Sequence, residues 1–432
     1  MVKLLGMGPH HNAATVAALA DERLSVRRLA FTSGERLSCI VRADSVPVCL
    51  PLRYVVHVLR PRRRSPNTIH QTMQSIRDLY EWARSFSQPF DPEIRLRAGP
   101  MMTFKEISSL AEFVRSGGRP KVTSMPGGSQ VRQSATGIRS DADMNKRVTR
   151  IRDFVTWAFC DQAMVDPDHP AFTRMEYQFN DQLLRVSRGK DRFGLSEEHV
   201  KRLLEAVHPD APNNPFNRTT RFRNWVVIQL LLNTGVRRGE LCSLRVTDLH
   251  GRGPANPFIS VTRKPLDPND TRREMPRLKT QEREIPIVAA VFRDCQTYSA
   301  RHRGRQRHPY LVVGRRGGMP LGLSAINKIF NRIRRTVFAG EHVDLTPHAM
   351  RRTFNDRVWA TCHEDGKTPD QTKSIQNYLS GWSPNSRQAE VYSRRAIQQA
   401  AMRVAETMQE NVSRRLGISA GPSGDAGTRG SL

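Results

Sequence analysis

The chain is short of acid, of long apolar runs and of paired cysteines. Aspartate and glutamate number 41 against 69 lysines and arginines, a net charge of +28 over 432 residues. The longest apolar run, Trp225 to Leu232, is broken by Gln229 and falls far below the ~18 residues of a membrane span. The opening residues MVKLLGMGPHH hold one lysine and no apolar stretch, so no secretory signal is expected. Six cysteines (Cys39, Cys49, Cys160, Cys242, Cys295, Cys362) are scattered, with no CxxC pair and no Cys/His knuckle. That excludes zinc fingers and disulfide scaffolds and predicts a protein working reduced in a cytosol. Aromatics are 7% of the chain and form no base-stacking module, which argues against an RNA reader. There is no P-loop, no nucleotide fold and no pair of metal-binding carboxylates. The stretch Asp267-Pro-Asn-Asp270 lacks the rest of a calcium loop. Neither a metal nor a cofactor is expected.

What is present is positive charge. A pI near 11.0 at this length points to a polyanionic partner, most simply nucleic acid. The bland alternative is a soluble basic protein. An anionic membrane surface would call for a basic amphipathic helix or a lipid signal, and the chain has neither. The length allows two domains with real cores.

Residues 1–45 read as a small appendage with β-like stretches at Leu29–Thr32 and Leu37–Val41. From Asn67 to Phe86, Ile69, Met73, Ile76, Leu79, Tyr80, Ala83 and Phe86 recur at helical spacing. A second helix over Thr103–Arg115 opens with a Thr103/Glu106 capping box. After a polar loop from Ser116 to about Ser140, a third helix covers Met144–Cys160. Met144, Val148, Ile151, Val155 and Ala158 form its apolar stripe. Lys146, Arg147, Arg150 and Arg152 lie largely off that stripe, either as a solvated face or as a DNA contact. Residues 178–194 read as a linker. Beyond it the spacing predicts a helix from Ser196, a buried helix over Phe222–Asn233 ending near Gly235, and β-strands at Phe258–Arg263 and Arg283–Val288. Further helices are expected at Ser324–Val337, Pro347–Thr361, Gln371–Leu379 and Arg394–Glu410. A Gly/Ser-rich tail follows and is expected to be disordered.

Four stretches of the second half carry chemistry. In Thr234-Gly-Val-Arg237-Arg-Gly-Glu240-Leu, an arginine sits just past an apolar helix. In Leu278-Lys279-Thr280-Gln281, a lysine falls in the turn between two strands. In Thr346-Pro-His348-Ala-Met-Arg351, Thr346 and Pro347 start a helix and put His348 and Arg351 on one face of its first turn. Imidazole, guanidinium and free helix N–H groups then point one way, as a phosphate requires. In Ser380-Gly381-Trp382, the tryptophan is followed ten residues later by Tyr392. Taken singly, each has an ordinary reading: a favourable helix-end cation, an exposed hairpin lysine, a surface His and Arg, a packing tyrosine.

In this order, over about residues 190–410, the stretches resemble the tyrosine recombinase (phage integrase) family. The resemblance implies a catalytic set of Arg237, Lys279, His348, Arg351, Trp382 and Tyr392. Arg352 stands where many members carry a second histidine, and Trp382 where a histidine is more usual. Tyr378 is the fallback nucleophile. The implied reaction is attack by a tyrosine oxygen on a DNA phosphodiester, giving a 3′-phosphotyrosyl link and a free 5′-hydroxyl. Arg237 and Arg351 would hold the non-bridging oxygens. His348 would serve as general base, Lys279 would protonate the leaving oxygen, and Trp382 would complete the cage through its indole N–H. Glu240 and Asp248 would orient Arg237.

The fold expected is mainly α with a small β-sheet: a helical core DNA-binding domain (46–177), a linker (178–194) and a catalytic domain (195–411) forming a DNA clamp. Residues 1–45 are an appendage and 412–432 a disordered tail. The function expected is site-specific cleavage and rejoining of double-stranded DNA, for integration, excision or resolution of a mobile element. The expected setting is a bacterial cytoplasm, at the nucleoid, with no membrane. Self-association into a synaptic tetramer is expected through the stripe Ile397, Ala400, Ala401, Val404 and Met408. Accessory proteins stay open as partners. Two rivals remain: a type IB topoisomerase, and a catalytically silent DNA-binding regulator descended from a recombinase.

Overall fold

The computed structural model describes residues 24–86, 90–98, 100–117, 138–162, 168–186, 193–251, 257–265, 267–270, 272, 274–276, 278–315, 317–386 and 388–416, without the side chains of 98, 162, 391–400, 403 and 416. The chain divides into two compact units, 1–189 with 266–269, and 190–265 with 270–432. The protein is mainly helical with two small sheets. No described helix is long and apolar enough to cross a membrane.

The first unit opens with β1 (Ser25–Ala30) and β2 (Arg36–Val41), antiparallel in register from Ser25↔Val41 to Ala30↔Arg36. The sequence suggested an appendage, but β2 is built into the core. Leu37, Ser38, Cys39, Ile40 and Val41 are all buried, and the Ser38 hydroxyl meets the His70 ring at 3.2 Å. A short helix α1 (Cys49–Tyr54) runs on into a wider π turn, Val55–Leu59. Helix α2 (Pro66–Arg84) starts at Ser65, whose hydroxyl accepts from the Thr68 N–H, and Pro66 fits the first helical position. Its expected stripe is buried except Phe86, which lies past the helix end against the edge of Trp82 at 5.0 Å. Next come α3 (Pro92–Ala98), which the sequence reading missed, and α4 (Phe104–Arg115) with the Thr103/Glu106 capping box in place. Helix α5 (Asp141–Gln162) buries Met144, Val148, Ile151, Val155 and Ala158.

The expected linker begins too early, because α6 (Pro170–Asp181) occupies its first four residues. His169 caps that helix, Pro170 starts it, and Phe172, Met175 and Phe179 are buried at helical spacing. Most of the polar loop (118–137) and of the linker's basic run (187–192) lie outside the described residues.

The second unit starts with α7 (Glu197–Val207), capped by Ser196. Helix α8 (Arg218–Thr234) is the core of the unit, burying Val226, Val227, Ile228, Leu230, Leu231 and Leu232. It begins four residues before the expected start because Arg218–Arg221 form a polar first turn with little apolar signal. Then follow α9 (Arg238–Ser243) and a three-stranded antiparallel sheet in the order β3 (Leu249–His250), β4 (Phe258–Val261), β5 (Arg283–Pro286). The β4–β5 pairing places Ile259 opposite Ile285. Four long helices and one short one complete the unit: α10 (Ala289–Thr297), α11 (Leu323–Thr336), α12 (Pro347–Glu364), α13 (Pro369–Ser380) and α14 (Gln388–Leu416). Helix α14 extends the expected Arg394–Glu410 at both ends and takes in the first residues of the expected tail. No glycine or proline interrupts the sequence before Gly417. The remainder of that tail, 417–432, lies outside the described residues.

Candidate active site

Two left-handed glycines shape the site. Gly235 ends α8 at φ 58°, and a Cβ there would stand 2.2 Å from the Phe354 ring of α12. Gly381 ends α13 at φ 64°, and a Cβ there would stand 2.6 Å from Arg283 Nη1 and 2.9 Å from the Gln281 carbonyl. Only glycine takes this backbone freely and leaves that space. Each therefore allows a loop bearing candidate residues to close against its neighbours.

Arg351 is the buried centre of the cluster, 1% exposed on α12. Its guanidinium donates from Nη1 to the Gly235 carbonyl at 2.5 Å and from Nη2 to the Ser380 carbonyl at 2.7 Å. It also lies over the Trp382 ring, 5.1 Å from the centroid. One side chain thus ties the Arg237, His348 and Trp382 stretches together. Asn355, one turn on, donates to the Arg351 carbonyl and accepts from the Ser380 hydroxyl at 2.9 Å.

Glu240 is a second centre, equally buried. Its carboxylate accepts from the Arg237 backbone N–H (2.9 Å), the Thr280 hydroxyl (2.7 Å) and Arg283 Nη2 (2.8 Å). Burial opposes its ionisation, but the Arg283 charge and hydrogen bond, the Arg237 amide and the Thr280 hydroxyl outweigh it and hold the carboxyl below the usual range. Arg283 also donates from Nε to the Leu379 carbonyl at 2.8 Å, and the Gln281 N–H donates to the Gly381 carbonyl at 2.9 Å. The β4–β5 connection is thereby fastened both to α9 and to the end of α13.

Arg237 caps α9 with its side chain about one third exposed, Nη1 at 3.4 Å from Glu240 Oε1. Glu240 orients it as expected, but Asp248 does not. That carboxylate is taken by the Arg245 N–H (2.8 Å) and Lys264 Nζ (2.5 Å), and Asp248 has a structural place instead. Lys279 is exposed, next to the anchored Thr280. His348 stands in the first turn of α12, where the Thr346 hydroxyl accepts from the Ala349 N–H. Solvent reaches the ring, yet the surrounding protein strips part of its water, and Arg352, Arg351 and Arg237 repel a proton. These effects outweigh Asp344 and hold the imidazole below its usual pKa, neutral at pH 7. Arg352, at the position of a second histidine, is a strut. It pairs with Asp344 at 2.6 Å and donates to the Phe193 carbonyl at 2.9 Å.

Trp382 packs on Arg351 and on Ala389 in the first turn of α14. Tyr392 lies three residues after Ala389 on that helix; its side chain is outside the described residues. Tyr378 is exposed on α13; its carbonyl accepts from the Gly381 N–H at 2.9 Å, and its hydroxyl makes no hydrogen bond among the described residues. Asp270 of the DxND stretch is paired with buried Arg272 at 2.7 Å.

The sequence reading missed Arg283 and Thr280. The signal was present: in Arg283-Glu-Ile285-Pro, the alternation of a strand puts Arg283 on the buried face with Ile285. In the first unit, Lys146 is exposed on α5, but the other three basic residues are engaged. Arg147 holds Asp78 and Asp143 (both 2.9 Å), Arg150 donates to Gln71 (2.9 Å), and Arg152 donates to Asp153 and Asn180.

A mainly helical unit with a small sheet gathers these arginine, histidine and tryptophan stretches. Residues 194–359 of this chain match the phage integrase family. Its sequence is 26% identical over 160 residues to the tyrosine recombinase XerA of Pyrococcus furiosus, across 37% of this chain and 46% of that one, so the match spans less than half the relative's length. Its fold resembles the XerH site-specific recombinase in a post-cleavage complex with palindromic difH, at a TM-score of 0.51 and 13% identity over 82% of this chain and 84% of that one. It also resembles the Tn1549 transposon integrase in complex with circular intermediate DNA, at a TM-score of 0.50 and 17% identity over 80% and 93%.

Proposed function

We propose that this protein cleaves and rejoins double-stranded DNA at specific sites through a covalent 3′-phosphotyrosyl intermediate on Tyr392, moving or resolving a mobile element. The observation that carries this reading is Arg351, whose guanidinium joins the Gly235 and Ser380 carbonyls and the Trp382 ring at one buried point. Three stretches remote in sequence meet there, as the holding of one small group among them requires.

The reaction follows from their chemistry. The attacked phosphorus gains negative charge as the tyrosine oxygen approaches. Arg237 and Arg351 would bind the non-bridging oxygens. Both stay charged throughout. A neutral His348 can accept the phenolic proton, whose ordinary pKa is ~10. Lys279, beside an anchored residue on the β4–β5 connection, would give a proton to the departing 5′-oxygen. The Tyr392–phosphorus bond replaces the phosphorus–5′-oxygen bond, so the bond energy is kept and a 5′-hydroxyl can reverse the step. Helix α14 exposes Met402, Val404, Met408 and Val412. A second protomer on a DNA-bound tetramer is their proposed cover.

The test is covalent trapping. The chain is incubated with nicked duplexes carrying the ends of its host element, digested, and the adduct mapped by mass spectrometry. The same reactions are run on native gels to count protomers. A phosphonucleotide on Tyr392, lost in Tyr392→Phe, supports the proposal. An adduct on Tyr378 would move the nucleophile. Salt-sensitive DNA binding with no adduct would favour the silent regulator, and relaxation of any supercoiled DNA by a monomer would favour the topoisomerase.

A further inference from the structure

Three of the four basic residues singled out on α5 are engaged, and a cluster of exposed positive charge lies elsewhere in the first unit. It lies in the connection from the π turn to α2, Arg60-Pro-Arg62-Arg63-Arg64-Ser65. Arg60 is held by Glu35 through two hydrogen bonds at 2.9 and 2.8 Å. The guanidinium groups of Arg62, Arg63 and Arg64 are exposed and make no ion pair or hydrogen bond with any described residue.

Their backbone, by contrast, is ordered. The Arg63 N–H donates to the Arg60 carbonyl at 2.9 Å and the Arg64 N–H to the Leu59 carbonyl at 3.1 Å. Arg63 sits at φ 50°, the left-handed position that closes a helix and normally falls to glycine. Ser65 then caps α2 at once. An arginine held in a glycine's conformation, between two others, is a local cost in stability, and its side chain gains no ion pair or hydrogen bond among the described residues. One cation near a helix end complements the dipole, but three unpaired neighbours exceed that need.

We infer that Arg62, Arg63 and Arg64 form a rigid grip on consecutive phosphates of duplex DNA. The inference rests on the DNA reading of the preceding section and names the residues of the first unit that would hold the backbone. Consecutive exposed guanidiniums on a fixed turn suit a polyanion with evenly spaced charges. The N-terminus of α2 adds partial positive charge on the same side of the chain.

The test measures duplex binding by the full chain as a function of salt. The patch variant is Arg62→Gln/Arg63→Gln/Arg64→Gln. The control, Lys105→Gln/Arg174→Gln/Arg185→Gln, removes the same charge from exposed positions of the same unit. Each phosphate left without its cation flattens the slope of log K against log salt by about 0.9, so the patch variant is expected to lose about 2–3 of slope and about tenfold or more in affinity at 0.15 M salt. The control is expected to lose far less. A third variant, Arg63→Gly, separates fold from function: its melting temperature should hold or rise while its DNA affinity falls. Equal losses in patch and control, or a patch variant that binds like wild type, would overturn the inference while leaving DNA binding intact. Failure of the wild-type chain to bind duplex DNA would overturn the DNA reading itself.

Discussion

His348 shows how a residue's surroundings set its task. A general base must be unprotonated at the working pH. Loss of hydration and the charges of Arg352, Arg351 and Arg237 favour the neutral imidazole, and only Asp344 opposes them. The folded pKa therefore lies below the ordinary 6.5. Between that folded value and 6.5 the unfolded chain binds more protons, so this group's contribution to stability is present above pH 6.5 and is lost as pH falls through the folded pKa. NMR titration of the imidazole, assigned by difference against His348→Gln, is expected to place its midpoint below 6.5. Asp344→Asn removes the one charge that favours protonation and should move the midpoint lower still. A midpoint at or above 6.5, or an upward shift in Asp344→Asn, would contradict this account. The His348 and Arg351 positions were legible in the sequence because the Thr346-Pro347 cap fixes where the helix starts, and the i, i+3 spacing does the rest. That Asp248 serves Lys264 and not Arg237 was not legible, since sequence proximity says nothing about which loop folds back.

At the scale of elements, the site depends on how the β4–β5 connection is held. Glu240 and Arg283 form an ion pair in which both side chains are 1% exposed. Removing one partner strands a buried charge, so Glu240→Gln is expected to cost about 3–5 kcal/mol of stability in urea unfolding. Replacing both, as Glu240→Leu/Arg283→Met, should recover much of that loss, because a buried pair often exchanges for apolar packing at little cost. Cleavage should not recover with it. The double variant lacks the acceptor for the Thr280 hydroxyl and the Arg237 amide, and so releases both the Lys279 turn and the Arg237 cap. A fold restored with cleavage still reduced tenfold or more marks a positioning role; full recovery of cleavage would show the pair to be structural alone. The apolar periods of α2, α4 and α5 were plain in the sequence because each presents one face to one core. Helix α6 was overlooked because Phe172, Met175 and Phe179 make a sparse stripe in a polar segment. The hairpin was underrated because β2 is buried on both faces and so lacks the alternation that announces a half-buried strand.

The molecule as a whole is built around two cores. One is gathered from the hairpin and α1 to α6, the other from α7 to α13 and the three-stranded sheet. Two cores of this size are expected to melt as two cooperative events in scanning calorimetry, since two-state behaviour belongs to single domains. The separate fragment 190–432 should reproduce one of them. This arrangement turns DNA binding into a question with two answers. A ligand stabilises only what it binds, by RT ln(1 + [L]/Kd), or about 2.7 kcal/mol at a hundredfold excess over Kd. With a charge of +28 over the whole chain and exposed arginines in the first unit, both transitions are expected to rise when duplex DNA is added at low salt. Both should return toward their free values as salt is raised, because the stabilisation comes from phosphate contacts that release counterions. A rise confined to the event shared with fragment 190–432 would assign the duplex to the catalytic unit alone, leaving the charge of the first unit for another partner.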